Sequence, residues 1–139
     1  MSVDVRVELC GSVDSAGSTT DVVRVAVHNR ADEPTALQSI VLLPPLGLAI
    51  FPDQPRCALP LVLQPGEECF DDFDCAMVAK QLREMDYQGG VRMQGVAFTT
   101  SAPIDWVAAR LGRLPEALPR GGDIERRSDP FVFNVDRWP

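Results

Sequence analysis

Apolar and polar residues alternate strictly at the start of the chain, with Val3, Val5, Val7 and Leu9 in one phase and Asp4, Arg6 and Glu8 in the other. Only an extended strand puts every second side chain on one face, so residues 3–9 predict a strand with one buried and one wet side. The small, polar run GSVDSAGSTTD predicts a turn or loop. A second strand is expected at 22–28, where Val23, Val25 and Val27 share a face. After the turn-forming NRADEP, residues 35–43 predict a third strand, stopped by Pro44 and Pro45, which have no amide hydrogen to give a ladder. Pro52, Pro55 and Pro60 break the apolar stretch that follows and exclude a continuous helix. Short edge strands and covering segments fit there, either closing a sheet edge or leaving it open to a neighbour.

The period then changes. Pro65-Gly66 has the residues for the centre of a type II turn, and a strand should follow at 67–73. Cys75, Val78, Ala79, Leu82 and Met85 recur at helical spacing, predicting an amphipathic helix over about 74–87 with Asp74 as N-cap and Gly89-Gly90 as its stop. Residues 91–99 predict a strand apolar on both faces, hence central, and Phe131, Phe133 and Val135 mark the last strand. Between these two lies an insertion at about 100–130, far longer than a hairpin needs. Pro103, Ile104, Val107, Leu111 and Gly112 predict a second short helix at about 103–111, and the rest, RLPEALPRGGDIERRSD, reads as exposed loop.

Short strands punctuated by turns, with one helix between two of them, predict a mainly β chain. The expected architecture is an immunoglobulin-like antiparallel two-sheet sandwich with a crossover helix, one domain over residues 1–139. The runs VVRVAVHNRADEP, LQPGE, VRMQGVAF and PFVFNVD resemble bacterial immunoglobulin-like or fibronectin type III-like domains. In these an Asn-containing turn ends a valine-rich strand and an L-x-P-G-E turn introduces a later one. The resemblance implies no catalytic residues; it lacks the paired cysteines and tryptophan of antibody cores, and it would place Tyr87 as a tyrosine corner.

Composition narrows the function. The formal charge of −7 argues against nucleic acid or an anionic membrane as a general partner. Residues 103–139 hold six arginines against six acids, so the acidic excess lies before them and any basic surface should lie near the C-terminus. The opening residues do not form a signal peptide and no long apolar span is present, so a cytoplasmic location is expected, with Cys10, Cys57, Cys69 and Cys75 as free thiols. The cysteine spacing matches no zinc pattern and His28 is the single histidine, so no metal or other cofactor is expected.

Three chemistries remain to be weighed. Glu67, Glu68, Asp71, Asp72 and Asp74 offer oxygen ligands for calcium, but without EF-hand spacing they read as a solvated strand face beside a helix N-terminus. Cys75 at that N-terminus is a candidate reactive thiol for a thiol-dependent enzyme, opposed by the neighbouring acids and by its place in the apolar stripe. His28 has no evident catalytic partner. The insertion contributes Trp106, Arg110, Arg113, Arg120, Arg126 and Arg127, residue types enriched in interface hot spots. The expectation is therefore a non-catalytic protein-interaction or structural module, engaging a protein partner or itself through these residues. The alternative is a sandwich that binds carbohydrate or calcium through its loops, with Trp106 and Trp138 as the candidate aromatic platforms for carbohydrate.

Overall fold

The computed structural model describes residues 3–13, 16–17, 19–52, 55–57, 59–100 and 123–138. The elements run β1 (Val3–Val13), β2 (Thr19–Asn29), β3 (Thr35–Leu43), β4 (Leu61–Leu63), β5 (Glu68–Asp74), α1 (Cys75–Glu84), β6 (Gly90–Thr100), β7 (Asp123–Arg127) and β8 (Phe131–Asn134), followed by a 3-10 turn, Val135–Arg137. They form two antiparallel sheets, β1-β2-β5 and β4-β3-β6-β7, with β8 also paired to β6. This is the mainly β, two-sheet sandwich with a crossover helix expected from the sequence: α1 carries the chain from the end of β5 in one sheet to β6 in the other. No helix among the described residues is long and apolar enough to cross a membrane.

The alternating apolar residues become the inner faces. Val23, Val25, Val27, Leu37, Ile40, Leu42, Phe73, Met93 and Phe133 are all buried in one cluster. Leu37 and Ile40 are three apart, yet both face the core, because a bulge between Leu37 and Ser39 inserts one extra residue and shifts the phase of β3. Gly95 lets the sheets approach closely: a Cβ there would lie 2.8 Å from Val7 and 3.0 Å from Val25 of the opposite sheet. β6 is central, flanked by β3 on one side and by β7 and β8 on the other.

The helix buries Cys75, Val78, Ala79 and Leu82, and the Asp74 carboxylate accepts from the Ala76 amide at 3.1 Å. It stops short of the expected Gly89-Gly90 signal. Asp86 takes a left-handed conformation (φ 69°), its amide donates to Arg83 and the Tyr87 amide to Leu82, a Schellman pair that ends the helix before the glycines. Tyr87 is not a tyrosine corner: its hydroxyl donates to the Pro45 carbonyl, far back in the chain, and holds the β3–β4 connection.

Further differences concern loops. The β1–β2 hairpin runs on through Cys10↔Val22 to Val13↔Thr19, so most of the expected GSVDSAGSTTD loop is ladder. Main-chain pairing does not need apolar side chains once a hairpin is in register. For the same reason DIERR, read as exposed loop, is strand β7, paired to β6 from Val96↔Arg127 to Thr100↔Asp123. The predicted helix at 103–111 lies outside the described residues.

Asn29 is the buried hub of the turns. Its side chain donates to the carbonyls of Glu33 (3.0 Å) and Leu63 (2.9 Å) and accepts from the Ala31 amide (2.9 Å). Its backbone bonds to Glu67 and Gly66, with Gly66 at φ 87°, so the end of β2 is tied to the Pro65-Gly66 turn that launches β5.

Candidate functional site

The two edges of the β1-β2-β5 sheet are built differently, and the difference defines where the molecule can take a partner. At the β5 edge the proline-rich segment forms a strap. Asp71 occupies the inward phase between Cys69 and Phe73, and its Oδ1 accepts from the backbone amides of Arg56 (2.6 Å) and Cys57 (2.9 Å). Cys57 and Cys69 are joined in a disulfide across a Cα separation of 6.3 Å. This corrects the expectation of four free thiols: the fold folds the strap back onto β5 and brings together two cysteines twelve residues apart. On the outer face, Asp72 bonds Arg24 through both oxygens (2.8 and 3.0 Å) and Arg56 approaches it at 3.3 Å. The Arg24 guanidinium also lies 4.1 Å from the Phe70 ring centroid.

An open pocket of about 450 Å³ is lined by Phe51, Pro52, Pro55 and Leu59 of the strap together with Ile40 and Asp71. Asp71 is fully buried and its Oδ2 has no hydrogen-bond partner among the described residues. Burial pushes its carboxyl above the usual range, against the pull of the two amides. Since Oδ2 is closed off from solvent, it offers no grip to an incoming ligand. Asp71 is a clamp for the strap.

The acidic run is dispersed by the strand period and by separate partners. Glu67 accepts from the Gln64 amide, Glu68 from Arg6, Asp72 from Arg24, and Asp74 caps the helix. Among the described residues no three His, Cys, Asp or Glu side chains come together as a metal site. Cys75 has no exposed surface and its thiol is pushed up to about 12, first by burial and then by the charges of Asp21 and Asp74. That is the environment of an inert thiol. His28 stands on the outer face opposite Asp4 and Glu68. Trp138 stacks on Phe133 at 4.9 Å, with the Arg137 guanidinium 5.3 Å from its ring, so it serves packing.

Among the described residues no strap covers the β1 edge. β1 pairs over eleven residues with β2, and among the described residues no strand pairs with its other side. Across the sandwich it packs over β6 and β7, which puts the β7 edge on the same flank. Of the interface residues expected from the sequence, Arg126 and Arg127 lie here, while Trp106, Arg110, Arg113 and Arg120 lie outside the described residues. Arg126 pairs with core residue Ala97, so its side chain takes the inward phase; its Nε is buried without a hydrogen-bond partner among the described residues. Arg127 faces outward and bonds Glu125 (3.0 Å) and Gln94 (3.1 Å). Consecutive strand residues point to opposite faces, so the two arginines do not make one patch.

Sequence reasoning missed the Asp71 clamp and the bare β1 edge. The first had a signal: an acid sits in the apolar phase of C-F-D-D-F, between Cys69 and Phe73. The second had none in β1 itself, because strand order is set by long-range pairing. Searches of protein-family models, curated proteins and solved structures find no match to the chain.

Proposed function

We propose that this chain is a non-catalytic protein-interaction module that takes its partner by strand addition at β1. The observation that carries the reading is the bare edge: eleven residues of strand whose outer main-chain groups have no ladder partner among the described residues, on a sheet whose other edge is strapped. An unpaired edge supplies amides and carbonyls at fixed spacing, which is what β-augmentation uses for affinity. The insertion supports the same flank, since residues 101–122 leave and rejoin the sheet at the Thr100↔Asp123 pair of β7. The buried, high-pKa Cys75 counts against the thiol-enzyme alternative.

The strand order supports reading the sandwich as immunoglobulin-like or fibronectin type III-like. The first, second and fifth strands share one sheet and the third, fourth, sixth and later strands the other, as in that architecture.

The test is amide hydrogen exchange of the chain with and without a co-purifying protein. New protection should fall on alternate amides of β1. Protection confined to the α1 face or the strap, with β1 unchanged, would refute strand addition.

A further inference from the structure

We infer that the strand added to β1 is the β1 of a second copy of this chain, paired antiparallel about a two-fold axis at Val7. The inference rests on the strand-addition reading and specifies its partner. A two-fold axis perpendicular to the sheet keeps inner faces with inner faces, so residues of like phase must oppose each other and only registers centred on a residue are open.

The charges on β1 choose among these registers. Centring on Arg6 sets Arg6 against Arg6 and Asp4 against Glu8, placing like charges opposite one another three times along the strand. Centring on Glu8 sets Glu8 against itself. Centring on Val5 makes opposite-charge Asp4–Arg6 pairs but matches only residues 3–7 of the strand. Centring on Val7 sets Arg6 of each copy opposite Glu8 of the other and matches Val3 through Gly11 within the observed strand. Opposite charges directly across a ladder stabilise it and like charges oppose it.

The apolar face points to the same register. Leu9 is 56% exposed although it shares the inward phase of Val5, which is 7% exposed. With the axis at Val7, Leu9 of one copy lies beside Val5 of the other, and Val7 beside Val7, so the large apolar side chain left uncovered on β1 gains a neighbour. Arg6 reaches across its own sheet to Glu68 at 3.1 Å and lies 4.0 Å from Asp4, both contacts well exposed, which leaves its guanidinium able to share a further carboxylate. The other edge strand of this flank is a poorer acceptor, because β7 is five residues long and carries Arg126 in its inward phase, a feature that opposes edge pairing.

The experiment uses charge reversal in the full chain, read by sedimentation velocity at low salt up to about 100 µM, where a micromolar Kd would populate the dimer. Wild type should be dimeric. Arg6→Glu and Glu8→Arg, each alone, set like charges opposite each other twice and should weaken the dimer about tenfold or more. An equimolar mixture of the two variants should recover a heterodimer, because each reversed charge then meets its complement. Circular dichroism identical to wild type would establish that both variants fold.

A monomeric wild type, single variants that dimerise as well as wild type, or a mixture that stays monomeric would each overturn the inference. A monomeric wild type whose β1 amides are nonetheless protected by a different protein would leave strand addition standing and remove self-pairing alone. A dimer whose protected amides lie away from β1 would remove both.

Discussion

β1 and β5 are the two edges of one three-stranded sheet, and the chain treats them in opposite ways. At β5 it commits a buried carboxylate, a disulfide and a proline-rich strap to closing the flank. At β1 it leaves eleven residues of strand with no ladder on the outer side among the described residues, and a row of alternating charges on the wet face. An open edge is an aggregation hazard, which charged side chains moderate without blocking a specific partner. The contrast teaches that a closed edge is held by groups whose loss destabilises the monomer, whereas an open edge is defined by groups whose loss the monomer barely registers.

The largest test of this contrast is Asn29→Ala, which removes three side-chain hydrogen bonds, two within the β2–β3 turn and one to the Leu63 carbonyl at the end of β4. With the buried Leu63 carbonyl and two partly buried backbone groups left without these partners, unfolding free energy should fall by roughly 3 kcal/mol, measured by urea denaturation. Next in size is Asp71→Ala, which strands the Arg56 and Cys57 amides and should cost about 2 kcal/mol by the same measurement. Asp71→Asn adds a pH signature. Because burial raises the folded-state pKa of Asp71, the folded chain holds this proton more tightly than the unfolded one. Its contribution is then full below the unfolded pKa of about 4 and is lost as pH rises through the folded value. Wild type should therefore lose stability relative to Asp71→Asn on going from acid to neutral pH. A difference between the two that is flat with pH would show that Asp71 titrates as it does in the unfolded chain.

The smallest effect belongs to the open edge. Arg6→Glu or Glu8→Arg should change monomer stability by less than about 0.5 kcal/mol, since the ion pairs of Arg6 are solvent-exposed. A loss comparable to that of Asp71→Ala would break the contrast, because β1's charges would then be holding the fold together.

Much of the architecture was legible because alternation and helical spacing are local. Val23, Val25 and Val27 reached the core, and Cys75, Val78, Ala79 and Leu82 became the buried face of α1. Charged or small stretches misled, since GSV and DIERR became strand through main-chain pairing with a neighbour already in place. The site was less legible for a related reason. Cys57 and Cys69 are brought together by the path of the strap, and the openness of β1 follows from which strands share a sheet. Neither is written in a window of a few residues. The expected interface residues Arg126 and Arg127 do lie on the β1 flank, but on opposite faces of β7.

The extra residue in β3 bears on how this chain can diverge. Gln38 stands between two segments of opposite phase: Leu37 pairs with Thr99, and after the offset Ile40 and Leu42 pair with Ala97 and Gly95. Removing that one residue would turn either Leu37 or the Ile40 and Leu42 pair out of the core, whatever amino acids were kept. In β3, then, length is inherited information in its own right. Drift in residue type can be absorbed there by repacking, while a single-codon deletion would have to be answered by a compensating insertion in the same strand.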